Sequence, residues 1–304
     1  MSTAPDPKDR SATSTRSAPG KVILLGEHAV GHGQPAIAVP ITRRLSLTTA
    51  LHPNEPGTPL ADPAAQSAVA TAARLFSLNP RQMTVRTTSD IPPGCGLGSS
   101  AALSVTLVRT LADLTHHRLE QTELLDRARA VEAAFHGTSS GLDVAVSALA
   151  RPIWFRPAYP AHATPLPIAK PFDLVVAITP EQRSTADQVH QLRRRAEAAP
   201  TAYTRCFACL GDLARTARDA LTTGDLPTLG LCMDEAHQLL ATAGASTPTL
   251  ERAIDVARSA GALGAKLTGA GGGGAIIALA SDNAPGIAEA LRSAGHEVSI
   301  SHVD

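Results

Sequence analysis

Short apolar runs and alternating stretches, separated by proline- and glycine-rich breaks, divide this chain into strands and helices of ordinary length. Val22-Ile23-Leu24-Leu25 is a continuous apolar run, the pattern of a strand buried on both faces. Pro35 to Val39 predicts a second short strand. Leu45, Leu47 and Thr49 alternate with polar neighbours, which predicts a third, half-buried strand. His52 to Pro63 reads as a proline-rich loop, Ala64 to Leu78 as a helix, and Met83, Val85 and Thr87 as another alternating strand. Leu103, Leu107, Val108 and Leu111 fall at helical spacing within Ser99 to Leu114. Leu119 to Ala134 and Leu142 to Leu149 predict two more helices, and Arg151 to Arg156 a closing strand.

Residues 157–171 hold five prolines and little pattern, which places a domain boundary there. Beyond it come a strand (Phe172 to Thr179), a helical stretch from Ser184 to Leu240 broken near Pro200 and at Gly224, and a helix from Thr247. A strand from Ala265, a glycine loop, a strand from Gly274, a helix from Ala284 and a strand from His296 follow. With adjacent helices merged the order is β-α-β-β-α-β, that of ferredoxin-like domains. The first sixteen residues are Ser, Thr, Pro and charge with no apolar stretch, which reads as a disordered tail and no secretory signal. The expected division is 1–16 tail, 17–170 and 171–304, in an α+β chain.

Composition narrows the function classes. Lys+Arg and Asp+Glu are both 27, so no global basic field points to nucleic acid or an anionic membrane. Apolar residues make up 43%, enough for a packed core, yet no run approaches the ~20 residues of a bilayer span. Four cysteines in 304 residues are no disulfide framework and point to a reducing cytoplasm. Only four of the basic residues are lysines, Lys8, Lys21, Lys170 and Lys266, so a lysine inside a glycine motif draws notice.

Three clusters carry candidate chemistry: Pro19 to Gly33, Pro92 to Ala102 and Lys266 to Gly274. Gly94, Gly96 and Gly98 precede a helix opened by Ser99-Ser100-Ala101-Ala102. One glycine serves an ordinary turn. Three before a helix start, with its free N–H groups and partial positive charge, suit a phosphate. The loop lacks the Gly-Lys-Ser/Thr ending of a Walker A loop and the G-x-G-x-x-G spacing of a dinucleotide site. Five glycines in six residues at 269–274 imply a close approach of backbone or ligand. Gly137-Thr138-Ser139-Ser140-Gly141 fits the G-x-S-x-G elbow of serine hydrolases, but a helix rather than a strand is predicted before it. Cys95 in the phosphate loop is a candidate for thiol reagents. Cys206 and Cys209 have no second pair, so zinc is not expected.

Together these residues resemble the GHMP kinase superfamily, and within it the mevalonate kinases. Ser17-Ala-Pro-Gly-Lys-Val-Ile-Leu-Leu-Gly-Glu-His-Ala-Val30, Pro92-Pro-Gly-Cys-Gly-Leu-Gly-Ser-Ser-Ala-Ala102 and Lys266-Leu-Thr-Gly-Ala-Gly-Gly-Gly-Gly274 are similar to that superfamily's three motifs, in order. His136-Gly-Thr-Ser-Ser-Gly-Leu-Asp143 and Met233-Asp-Glu-Ala-His-Gln-Leu-Leu240 match two further segments. Glu27-His28-Ala29-Val30 separates the chain from galactokinases, whose Gly-Glu-His is followed by Thr-Asp-Tyr. Thr179-Pro180-Glu181 departs from the Asp-Thr-Gly often found there, which puts the substrate pocket's details in question.

The resemblance implies an N-terminal ribosomal-protein-S5-like domain, a C-terminal ferredoxin-like domain, and ATP-dependent phosphorylation of the 5-hydroxyl of mevalonate in isoprenoid biosynthesis. It implies ATP contacts at Pro93, Gly94, Gly96, Leu97, Gly98, Ser99, Ser100 and Ala101, and Mg²⁺ on Ser100 and Glu132. Asp143 would be the base and Lys21 the cation beside the reacting hydroxyl, with Glu27, His28 and Gly271 lining the acceptor site. Unaided, Glu132 reads as a solvated helix residue and Lys21 as a strand-end surface residue. Another GHMP kinase, acting on phosphomevalonate or a sugar, and a non-catalytic metabolite sensor of the same fold stay open. A monomer and a homodimer both stay open.

Overall fold

The computed structural model describes residues 12–52, 56–58, 60–136, 140–157, 162–181 and 185–304. Two long antiparallel strands, β1 (Thr13–Leu25) and β2 (Ala36–Leu51), form the spine of the first half. β3 (Met83–Ser89) pairs with the outer half of β2, and β4 (Ile153–Arg156) with its first residues. β5 (His162–Pro165) extends the sheet beyond β4. Helices α1 (Pro63–Leu75), α2 (Ser99–Leu114), α3 (Gln121–His136) and α4 (Leu142–Leu149) complete this half. Most of α2, from Ala101 to Ala112, is buried, because it lies on β1 and β2 and is itself packed by α1, α3 and α4.

The second half is a four-stranded antiparallel sheet in the order β7-β8-β6-β9, which is the ferredoxin-like arrangement. Its strands are β6 (Phe172–Ile178), β7 (Gly264–Thr268), β8 (Ala275–Ala280) and β9 (Glu297–Val303). Helices α5 (Thr185–Ala198), α6 (Pro200–Thr223), α7 (Leu226–Thr242) and α8 (Pro248–Ser259) lie between β6 and β7, and α9 (Ala284–Ser293) between β8 and β9. The sheets meet where Thr42 of β2 bonds Ser301 and Ile300 of β9, and Arg43 pairs with Glu297 and Ser299. One apolar core runs through both halves.

Three expectations need correction. β1 begins at Thr13, inside the segment expected as a tail, whose residues 1–11 lie outside the described residues; Thr13 to Arg16 pair with Ala50 to Leu47, and Asp113 accepts from Ser14 and Arg16. The two strands expected across Pro35 to Thr49 are one. Pro40 sits opposite Lys21 at a register shift, where the ladder tolerates a missing N–H. The proline-rich 157–171 segment also contains a strand, β5, which needs only four residues and tolerates proline at a sheet edge.

β7 is an edge strand, and α7 covers that edge. Ala265 N–H donates to Asp234 Oδ1 at 2.8 Å and Leu267 N–H to His237 Nδ1 at 3.5 Å. Arg258 holds the same Asp234 oxygen, and Glu251 faces His237 Nε2 at 3.1 Å. Burial lowers the His237 pKa, which fits a neutral ring accepting at Nδ1 and donating at Nε2.

Candidate active site

Lys21 stands at the register shift that admits Pro40. Its side chain is only 2% exposed, which removes the surface reading. The Lys21 backbone N–H donates to Leu97 O at 2.9 Å, and Nζ donates to Gly96 O at 3.0 Å. The same ammonium lies 3.0 Å from Asp143 Oδ2. The loop wraps this lysine because Gly94, Gly96 and Gly98 have φ of 74°, 75° and 79°, a region open chiefly to glycine. At Gly98 a Cβ would also come within 2.9 Å of Lys21 Cγ. Gly98 is the N-cap of α2 and brings no side-chain acceptor to the N–H groups that open the helix. Asp143 stands in the first turn of α4 after Gly141, with 32% of its side chain exposed.

The third glycine cluster lands on the first. Lys266 of β7 forms an ion pair with Glu27, both side chains fully buried, and donates to Leu267 O at 2.7 Å. Burial pushes the Glu27 carboxyl up and the Lys266 ammonium down, while their mutual attraction opposes both. Thr268 Oγ1 accepts from Ile23 N–H at 2.9 Å and donates to Ile23 O at 3.1 Å. His28, at φ 56°, sets Nε2 2.9 Å from Ala270 O, so that nitrogen carries the proton. Glycine is required at 271 by φ 68° and by Ala245 O, 2.1 Å from where a Cβ would sit. At Gly274 a Cβ would stand 3.0 Å from Cys95 O, so the second and third clusters touch.

The structure therefore gathers Lys21, Glu27, His28, Gly96, Leu97, Gly98 and Asp143 with the 266–274 loop. Pro93 and Gly94 lie on the exposed rim, while Ser99 and Ser100 are half-buried and Ala101 buried at the start of α2. Glu132, 2% exposed on α3, is no solvated helix residue. The reactivity expected at Cys95 is also corrected: the thiol is buried, faces Pro93 O, and has its pKa raised by burial and then by Glu297. Arg43 is committed to Asp90 O, Ser299 and Glu297, and Arg44 to Ser17. Residues 137–139 of the hydrolase-like pentapeptide lie outside the described residues; the segment before them is helix α3.

Sequence reading passed over Thr268, Glu181 and the Lys266 partnership. Glu181, in the departing Thr179-Pro180-Glu181 run, accepts from Thr247 and Thr249 hydroxyls at 3.0 and 2.6 Å, and its carbonyl accepts Gly274 N–H at 3.2 Å. That departure thus ties the glycine loop to α8. The signals available for Lys266 were the scarcity of lysine and its place at the head of the third glycine cluster, neither of which names its partner. A separate, largely apolar cavity of about 370 Å³ lies among Gly57, Leu60, Val69, Met83 and Val85, lined by none of the expected site residues.

Residues 65–151 match the GHMP kinases N terminal domain and residues 217–297 the GHMP kinases C terminal. The chain is 33% identical to a mevalonate kinase of Thermococcus gammatolerans over 92% of both chains. It is 35% identical to a mevalonate kinase of Aeropyrum pernix, covering 86% of this chain and 87% of that one. The L. major mevalonate kinase solved in complex with R-mevalonate superposes with a TM-score of 0.86 at 27% identity, covering 98% of both chains.

Proposed function

This chain belongs to the GHMP kinase family, among its mevalonate kinases, and from that premise we propose that it phosphorylates the 5-hydroxyl of mevalonate with ATP, giving 5-phosphomevalonate and ADP. The observation that carries the reading is the Lys21–Asp143 pair at 3.0 Å, set against the glycine loop that opens α2. Phosphoryl transfer asks a protein mainly for positioning and charge stabilisation. Backbone N–H groups from Gly96 to Ser100 receive the phosphates at the positive end of α2. Asp143 takes the proton of the 5-hydroxyl as its oxygen attacks the γ-phosphorus. Lys21 lowers that hydroxyl's pKa and offsets the charge growing in the transition state.

The donor set near α2 fits Mg²⁺. Ser100 and Glu132 offer hard oxygens, and this ion commonly takes one or two carboxylates plus substrate phosphates and water. Among the described residues no group of three or more His, Cys, Asp or Glu builds a self-sufficient metal cage. When bound, Mg²⁺ supplies positive charge to the β- and γ-phosphates. Glu132→Gln is accordingly expected to raise the Mg²⁺ concentration needed for half-maximal rate by ~10-fold or more, with the KM for mevalonate little changed. A Mg²⁺ titration at saturating mevalonate measures this; an unchanged requirement removes Glu132 from the site.

Substrate choice follows from charge. Lys21 is matched by Asp143 and Lys266 by Glu27, while Arg43 and Arg44 are tied elsewhere; Arg183, the third arginine within reach by sequence, lies outside the described residues. A phosphorylated acceptor would call for additional cations, commonly arginines in a fork. The kcat/KM for mevalonate is expected to exceed that for phosphomevalonate by at least ~100-fold, about 2.7 kcal/mol. Competition of the two acids in one tube, with galactose and homoserine tested beside them, gives the ratio. An equal or reversed preference would reassign the substrate within the family, and no transfer to any of the four would favour a sensor. No described helix is long and apolar enough to cross a membrane.

A further inference from the structure

The buried ion pair between Glu27 and Lys266 has no step in the reaction as derived, yet it lies beside the groups that do. Burying an ion pair is a poor route to stability, since apolar side chains of similar volume commonly serve as well or better. This pair also leaves Glu27 Oε2 buried with no hydrogen-bond partner among the described residues. Leaving a carboxylate oxygen undonated in the interior costs free energy, as expected of an acceptor kept for a ligand. The Lys21 ammonium, already 3.0 Å from Asp143, also favours the charged form of Glu27 electrostatically. Asp143, Lys21, Glu27 and Lys266 thus alternate in charge from α4 through β1 into β7. The next residue, His28, holds a positive φ of 56°, unusual for a residue other than glycine, and reaches Ala270. Lys266 itself is fixed, because Asp234 and His237 of α7 bond the backbone of β7 on both sides of it.

We propose that Lys266 is a positioning residue for the acceptor alcohol: it holds Glu27 as a carboxylate whose Oε2 accepts a hydroxyl hydrogen of the bound acid. This rests on the function proposed above. Lys266 touches no substrate and acts only through Glu27. The C-terminal domain thereby sets an acceptor-binding group that the N-terminal domain carries. A carboxylate suits a hydroxyl and repels the acid's own carboxylate, so the pair orients the acceptor as well as binding it.

The test compares Lys266→Met with the neutral double variant Glu27→Gln/Lys266→Met, using steady-state kinetics in both substrates and thermal melting. Lys266→Met leaves Glu27 buried without its counter-ion and is expected to melt lower. Its KM for mevalonate should rise at least ~10-fold, while that for ATP stays within about twofold. The double variant removes both charges at similar volume. It is expected to recover the melting temperature but keep the raised KM for mevalonate, because a neutral amide oxygen accepts a hydroxyl hydrogen more weakly than a carboxylate does. It also keeps the test available if Lys266→Met fails to fold. A double variant with wild-type kcat and KM would assign the pair a purely structural role and overturn the proposal, as would an equal rise in both KM values. Wild-type turnover of mevalonate is measured alongside: an inert wild type sinks the function and the proposal together, an active wild type matched by the double variant sinks the proposal and leaves the function standing, and a wild-type KM for mevalonate in Lys266→Met overturns the role of Lys266.

Discussion

Asp143→Asn is expected to lower kcat with mevalonate by about 10³-fold, close to 4 kcal/mol of transition-state stabilisation, with the KM for ATP little changed. The carboxylate lies 3.0 Å from Lys21 in the first turn of α4 and is 32% exposed, so it is open to a hydroxyl and held by a cation. Asparagine has nearly the same shape. Its amide oxygen can still accept from the Lys21 ammonium, and that ammonium keeps its bond to Gly96 O. The fold and the phosphate loop should therefore survive, while the one group able to take the proton is lost. Steady-state rates at saturating ATP and mevalonate, with melting temperature as the control on folding, decide the matter. Near-normal turnover would remove Asp143 as the base.

Lys21→Arg should cost at least ~10²-fold in kcat/KM, although this chain otherwise writes arginine for nearly every cation. The lysine stem fills its channel: a single Cβ on Gly98 would reach within 2.9 Å of Lys21 Cγ. A guanidinium is longer, planar and wider than an ammonium. To fit, it must displace either the Gly96–Gly98 backbone that receives the phosphates or Asp143. Because Lys21 and Asp143 share one contact, the two losses should not add. The double variant Lys21→Arg/Asp143→Asn is expected to be about as impaired as the worse single variant. Fully additive losses would mean that the two side chains act independently, and an active Lys21→Arg enzyme would make the lysine incidental.

Much of the architecture was legible in the chain because it depends on neighbours in sequence. Helical spacing placed α2 and α4 at their observed bounds, and alternation found β3. The β-α-β-β-α-β order led to the four-stranded sheet. Where local rules failed, a non-local partner decided. Thr13 to Arg16 look like disordered polar chain until β2 and Asp113 bind them, and Pro40 looks like a break until the register shift absorbs it.

The same division runs through the candidate site. Sequence alone determined which short segments carry unusual backbone chemistry, because three glycines before a helix start, or five in six residues, are local facts about allowed φ. Resemblance to a known family, rather than any local rule, marked Lys21, Glu27, His28, Ser100, Glu132 and Asp143. Only the tertiary structure decided that the segments form one place. Glu27 meets Lys266 across 239 residues of chain and Ile23 meets Thr268 across 245, separations over which no periodicity or turn rule carries information. Burial was decided there too. Lys21 and Glu132 are charged residues that read by themselves as solvated, and Cys95 reads as reactive. Each is enclosed in the folded chain, and enclosure sets the electrostatic cost of charge and hence the chemistry.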